Sequence, residues 1–142
     1  MNKLFTLFIL CLLVNTVLAQ DEMSTDTTVY VVSDQAPRFP GCEKLDTTEA
    51  VIYECAQRNL LRFVYDNVRY PFEAREKDLS GTVVASFIVE KDGSISDAKV
   101  IKDIGGGCGE EVLRIVNAMN EVFIRWRPGM KAGVPVRTRF NL

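Results

Sequence analysis

Cys108 is the residue around which reactive chemistry would have to be built. It lies in Gly105-Gly106-Gly107-Cys108-Gly109, between a strand-like stretch and a helical pattern. A helix N-terminus can lower a thiol pKa and raise the thiolate fraction. Glu110 and Glu111 follow at once, however, and the chain contains no histidine to act as base. A small buried thiol therefore outweighs a nucleophile, and a thiol-active enzyme using Cys108 stays only as an alternative. The same glycines invite a phosphate-loop reading, which their spacing rejects. Position 110 is Glu, no Gly-Lys-Ser/Thr follows, and two carboxylates would repel a phosphate from the helix start. The lack of histidine also removes the commonest zinc ligand and general base. No catalytic residue, metal ligand, cofactor or small-molecule substrate is assigned, and the chain is not expected to be an enzyme.

Three cysteines lie beyond the apolar N-terminus: Cys42, Cys55 and Cys108. In an exported chain an odd count points to one pair and one leftover, with Cys42 and Cys55 the expected pair and three free thiols the alternative. Arg137 and Arg139 sit on one face of the last strand-like run. They are either solvated charges that discourage aggregation or contacts for an acidic partner.

Residues 1–19 read as a cleavable signal peptide. Lys3 supplies the positive end, Leu4 to Leu13 is apolar apart from Thr6, and Val17-Leu18-Ala19 places small residues for cleavage before Gln20. The rival is a retained inner-membrane anchor, but the 16 residues 4–19 include Asn15 and fall short of the ~20 apolar residues a spanning helix needs. Removing the leader leaves 16 basic and 19 acidic residues. That excess of acid argues against nucleic acid as a partner. Residues 20–36 read as a flexible segment containing the β-prone run Val29-Tyr30-Val31-Val32, and residues 37–142 as one domain.

The domain is centred on residues 81–104. Two alternating runs, 82–90 and 94–102, flank Asp92-Gly93, a strong hairpin signal. A two-residue turn there pairs Glu90 with Ile95, Ala85 with Val100 and Val83 with Lys102. It gathers Val83, Ala85, Phe87, Val89, Ala98 and Val100 on the core face. Helical spacing runs from Thr47 or Thr48 to Asn67 and again over 110–120, where Val112, Ile115, Val116 and Met119 share a face. Phe39 is expected to tuck into the core from an extended 36–41 segment. Trp126, Pro128 and Gly129 form a turn with an aromatic anchor. The last strand carries Val134, Val136, Thr138 and Phe140 on one side and Pro135, Arg137 and Arg139 on the other. Pro135 cannot donate to a ladder, which makes this strand an expected edge. The predicted fold is α+β: two helices packed on one face of a three-stranded antiparallel sheet, in the order helix-strand-strand-helix-strand.

These residues together resemble the C-terminal domain of TonB proteins. The match runs through Tyr70-Pro71-x-x-x-Ala74-Arg75, Ser80-Gly81-Thr82-Val83-Val84 and Phe87-x-Val89-x-Lys91-Asp92-Gly93-Ser94-Ile95-Ser96-Asp97. It continues through Gly105-Gly106-Gly107-Cys108-x-Glu110-Glu111 to Trp126-x-Pro128-Gly129-x-x-x-Gly133-x-Pro135-Val136, with Pro37-x-Phe39-Pro40-Gly41 upstream. The resemblance implies a periplasmic domain that receives an extended peptide of an outer-membrane TonB-dependent receptor, or of another periplasmic protein, as an added strand. It places the pairing edge on Val134, Pro135, Val136, Arg137, Thr138, Arg139 and Phe140. A full TonB energy transducer also has a membrane anchor and a Pro-rich spacer. Residues 20–36 hold no proline, so the expectation is a stand-alone binding module, with an anchored transducer as alternative. Homodimerisation through the last strand is compatible with either.

Overall fold

The computed structural model describes residues 27–142, so the leader reading of residues 1–19 lies outside the described residues. The elements are β1 (Val29–Tyr30), α1 (Glu49–Asn67), α2 (Phe72–Glu76), β2 (Val84–Val89), β3 (Ile95–Lys102), α3 (Cys108–Glu121), β4 (Gly129–Lys131) and β5 (Val134–Asn141). The class is α+β, as expected. In place of two helices on three antiparallel strands there are three helices and a mixed sheet of five strands. Strand order is β1-β5-β2-β3, with β4 paired to the first half of β5 and β1 running parallel to β5. The additions β1 and β4 are two and three residues long. Such runs are too short to show a period of two, and they form only because β5 supplies their partner groups. The segment expected to be flexible is laid down as well, at least from residue 29. Gln35 and Arg38 pair antiparallel with Met130 and Arg127.

The hairpin keeps its expected register only in the middle, at Ala85↔Val100 and Ser86↔Lys99. Near the turn the pairs are Val89↔Ile95 and Ile88↔Ser96, one residue away from the two-residue-turn prediction. Gly93 N–H donates to Glu90 C=O and Glu90 N–H to Ser94 C=O, both at 2.9 Å, so the loop holds three residues with Gly93 left-handed at φ +81°. Asp97, at φ +47°, is a bulge that restores the register further on. The bulge has a packing reason. Ile95 and Ala98 are three apart and would face opposite ways on a regular strand, yet both meet the core. A second irregularity pairs Val84, rather than Val83, with Lys102.

The core joins Ala85, Phe87, Val89 and Ile95 of the hairpin to Leu60 of α1, Val116 and Met119 of α3, and Phe39 and Trp126 from the connecting segments. Trp126 sits edge-on to Phe39, Phe87 and Phe140, with centroids 5.6, 5.5 and 5.0 Å away. It is an anchor within extended chain rather than within a turn. Its backbone N–H donates to Gly93 C=O at 2.9 Å, and a Cβ on Gly93 would lie 2.1 Å from the Trp126 carbonyl oxygen. The glycine run before α3 serves backbone packing in the same way. A Cβ on Gly106 would come within 2.9 Å of Ala74 Cα in α2.

Cys42 and Cys55 form the expected disulfide, which closes a 13-residue separation and ties the Phe39 segment to α1. Asn59 reinforces the tie by donating to Pro40 C=O and Cys42 Sγ, both at 3.2 Å. A bridge of this span contributes about 3 kcal/mol in the chain-entropy model.

Candidate functional site

The seven residues expected to form a pairing edge all lie on β5, but β5 is not a bare edge. β2 flanks it on one side through Val89↔Thr138 to Ser86↔Asn141. On the other side β1 covers Arg137 and Thr138. Pro135 is tolerated because it stands opposite Met130, while Gly129↔Val136 and Lys131↔Val134 flank it. Antiparallel ladders alternate bonded and non-bonded pairs, and proline fits a non-bonded one. In such a pair the missing N–H points away from β4, so Pro135 leaves that side of the strand without a donor. What keeps β5 from being a bare edge is β1, further along at Arg137 and Thr138.

The pleat follows the sequence pattern. Val136 and Thr138 are buried, and Phe140 packs on Trp126 and Phe87. Val134 is exposed at the strand start. Arg137 and Arg139 face the opposite way and find partners inside the sheet. Arg137 grips the Glu90 carboxylate in bidentate fashion, Nε to Oε2 at 2.7 Å and Nη2 to Oε1 at 2.9 Å, and donates through Nη1 to Thr27 C=O at 2.7 Å. Arg139 donates to Asp97 Oδ2 and Ser86 Oγ, both at 3.3 Å. The Arg137 hydrogen bond, helped by Ser96, holds the Glu90 carboxyl below the usual range against the opposing effect of burial. Arg139, then Lys99, lower Asp97 in the same sense.

Beyond Thr138 the outer edge of β5 looks onto an open groove of about 350 Å³. Arg139, Phe140 and Asn141 form one wall, Tyr53 and Gln57 of α1 another, and Val31 and Val32 close the end next to β1. Lys131 holds β1 from the side, its Nζ lying 4.5 Å from the Tyr30 ring centroid. The opposite end of the sheet is guarded differently. The Asn120 amide pairs with the outer edge of β3, accepting from Ile95 N–H at 3.0 Å and donating to Ile95 C=O at 2.7 Å. The Asp97 bulge and the lysines 99 and 102 follow along that strand, features that discourage edge pairing.

The other expected positions are structural. Asp92 Oδ1 accepts from Ser94 N–H at 2.9 Å and Ser94 Oγ at 2.6 Å, which fixes the hairpin loop and lowers the Asp92 carboxyl. Pro128 leads into Gly129, the first residue of β4. Among the described residues Cys108 is the cysteine left unpaired, and it is buried; burial raises its thiol pKa, aided by Asp103 and Glu110. That direction is opposite to the one a nucleophile needs.

Sequence reasoning missed Tyr30, Tyr53, Glu90, Asn120 and Lys131. The β-prone run 29–32 was visible, but nothing local told which strand it joins. The Glu90–Arg137 pair spans 47 residues and Asn120–Ile95 spans 25, separations at which single-sequence patterns are silent.

Among the described residues no helix is long and apolar enough to cross a membrane, and no cluster of three His, Cys, Asp or Glu could hold a metal ion. No curated protein and no solved structure matches the chain. Residues 66–142, from the last turn of α1 through the hairpin, α3 and β5, match the family described as Gram-negative bacterial TonB protein C-terminal. With more than half of its length matched, the chain belongs to that family.

Proposed function

We propose that this protein is a non-catalytic binding module of the outer-membrane transport apparatus, acting in the periplasm, which takes an extended segment of an outer-membrane receptor as an added strand along β5. Family membership supports the general role. The observation that carries the site is the asymmetry of the two sheet ends. At one end Asn120 pairs with the backbone of Ile95, where β3 begins, and the Asp97 bulge and two lysines follow along the strand. At the other a groove runs beside Thr138–Asn141 with Tyr53 on its far wall. Backbone pairing along this edge gives affinity, and the groove walls give selectivity. Export through the leader read at residues 1–19 yields a released module, whereas retention of that segment yields an anchored energy transducer. The N-terminus of the protein recovered from cells distinguishes these.

Calorimetric titration of the full chain with synthetic segments from outer-membrane receptors tests the reading. Saturable binding that weakens several-fold in Tyr53→Ala is expected. Failure of every segment to bind at millimolar concentration would overturn it. A second copy of the chain is a competing occupant of the same edge, and it would show as a doubling of mass in solution.

A further inference from the structure

The edge that the reading above assigns to a partner strand is partly filled by the chain itself. β1 lies parallel to β5 and covers Arg137 and Thr138. Past it β5 contributes Arg139, Phe140 and Asn141 to the groove. Strand residues turn their backbone groups to alternate sides. Phe140 pairs inward with Phe87 of β2, so this remnant offers little more than Arg139 and Asn141 to a new strand. A partner that pairs along the length of β5 needs the place β1 holds.

β1 is built to leave. It has two residues, and Val31 and Val32, which follow it, are 76% and 79% exposed. Its side attachments include the Arg137–Thr27 bond and the Lys131–Tyr30 contact. Immediately downstream the chain is fastened separately. Asp34 Oδ2 accepts from Ala132 N–H at 2.8 Å, and Gln35 and Arg38 exchange backbone bonds with Met130 and Arg127. Residues before 34 can therefore peel away while those after it stay docked. Departure also frees Nη1 of Arg137 from Thr27, while Glu90 keeps that guanidinium in place through Nε and Nη2.

We propose that β1 is an intramolecular occupant of the β5 edge, which the partner strand must displace, so that the N-terminal segment gates binding. This rests on the reading that β5 receives the partner. A competing tethered strand lowers the apparent affinity by the fraction of molecules whose edge is open.

The probe is a fluorescent peptide with the sequence of residues 27–32, the strand seen to fit this edge. Its affinity is measured by anisotropy for the full chain and for the full chain carrying Val29→Pro and Tyr30→Pro, which remove two backbone N–H groups from β1. The expected result is binding at least about tenfold tighter to the double variant, corresponding to an edge open in a tenth or less of unmodified molecules. Equal affinity for the two chains, or no binding to a double variant whose circular dichroism remains native, would overturn the gate. Should the double variant fail to fold, Lys131→Ala removes only the Tyr30 ring contact, and it must tighten the peptide several-fold. Capture of the β1 peptide but of no receptor segment by the double variant would sink the partner reading and leave the gate standing. Receptor segments binding both chains equally would do the reverse.

Discussion

The Glu90–Arg137 pair joins the end of β2 to the middle of β5 and, through Nη1, to the segment that leads into β1. Both side chains are about three-quarters buried, so solvent screens the pair only in part. Glu90→Gln should cost about 1–2 kcal/mol in urea unfolding at neutral pH, the size of a charge-assisted hydrogen bond. The sign of the pH dependence follows from the lowered Glu90 pKa. The unfolded chain binds the proton first, so this stability is present above about pH 4.3 and is lost as pH falls through the lower folded value. Glu90→Gln should flatten that part of the acid-unfolding profile; an unchanged profile would show that the pair carries no such linkage. Gly93 offers a sharper structural test. Its φ is +81°, and any Cβ placed there would meet the Trp126 carbonyl oxygen at 2.1 Å, which leaves no room for alanine. Gly93→Ala should destabilise by about 3 kcal/mol, combining backbone strain with overpacking.

Among the elements, β2, β3, α1 and α3 were legible because each is long enough for its period to show. Helix α3 buries Ile115, Val116 and Met119, as its spacing requires. What the sequence could not convey was the departure from regularity. The hairpin loop is three residues rather than two, and the Asp97 bulge lets Ile95 and Ala98 both reach the core. The strands β1 and β4 owe their existence to β5, a tertiary partner no local pattern announces. Edge protection belongs to this scale as well. Asn120→Ala would leave Ile95 N–H and C=O without their side-chain partner, at a cost of about 1–2 kcal/mol. It should also raise concentration-dependent association through β3, measured by light scattering. An unchanged stability and mass would show that Asn120 does not guard that edge.

For the molecule as a whole, the sheet has one outer strand capped at Ile95 by Asn120 and, at the other end, an edge covered by a two-residue strand beside a groove. The family resemblance singled out β5, as a stretch of chain, for the proposed pairing edge. Its occupancy by β1 was not legible, because the attachments Thr27–Arg137 and Tyr30–Lys131 each span about a hundred residues. The disulfide was legible from cysteine count and compartment, and the structure adds what it holds: the Phe39 segment that seats Trp126. Cys42→Ser with Cys55→Ser should lower unfolding stability by about 3 kcal/mol. The central claim is that β5 receives the partner on its outer edge. The most direct measurement is an amide chemical-shift map of the labelled full chain titrated with a receptor segment. We expect the largest changes at residues 137–141 and at Val29 and Tyr30, with β3 unmoved. Changes centred on β3 or on the exposed face of α1, with β1 and β5 unmoved, would contradict it.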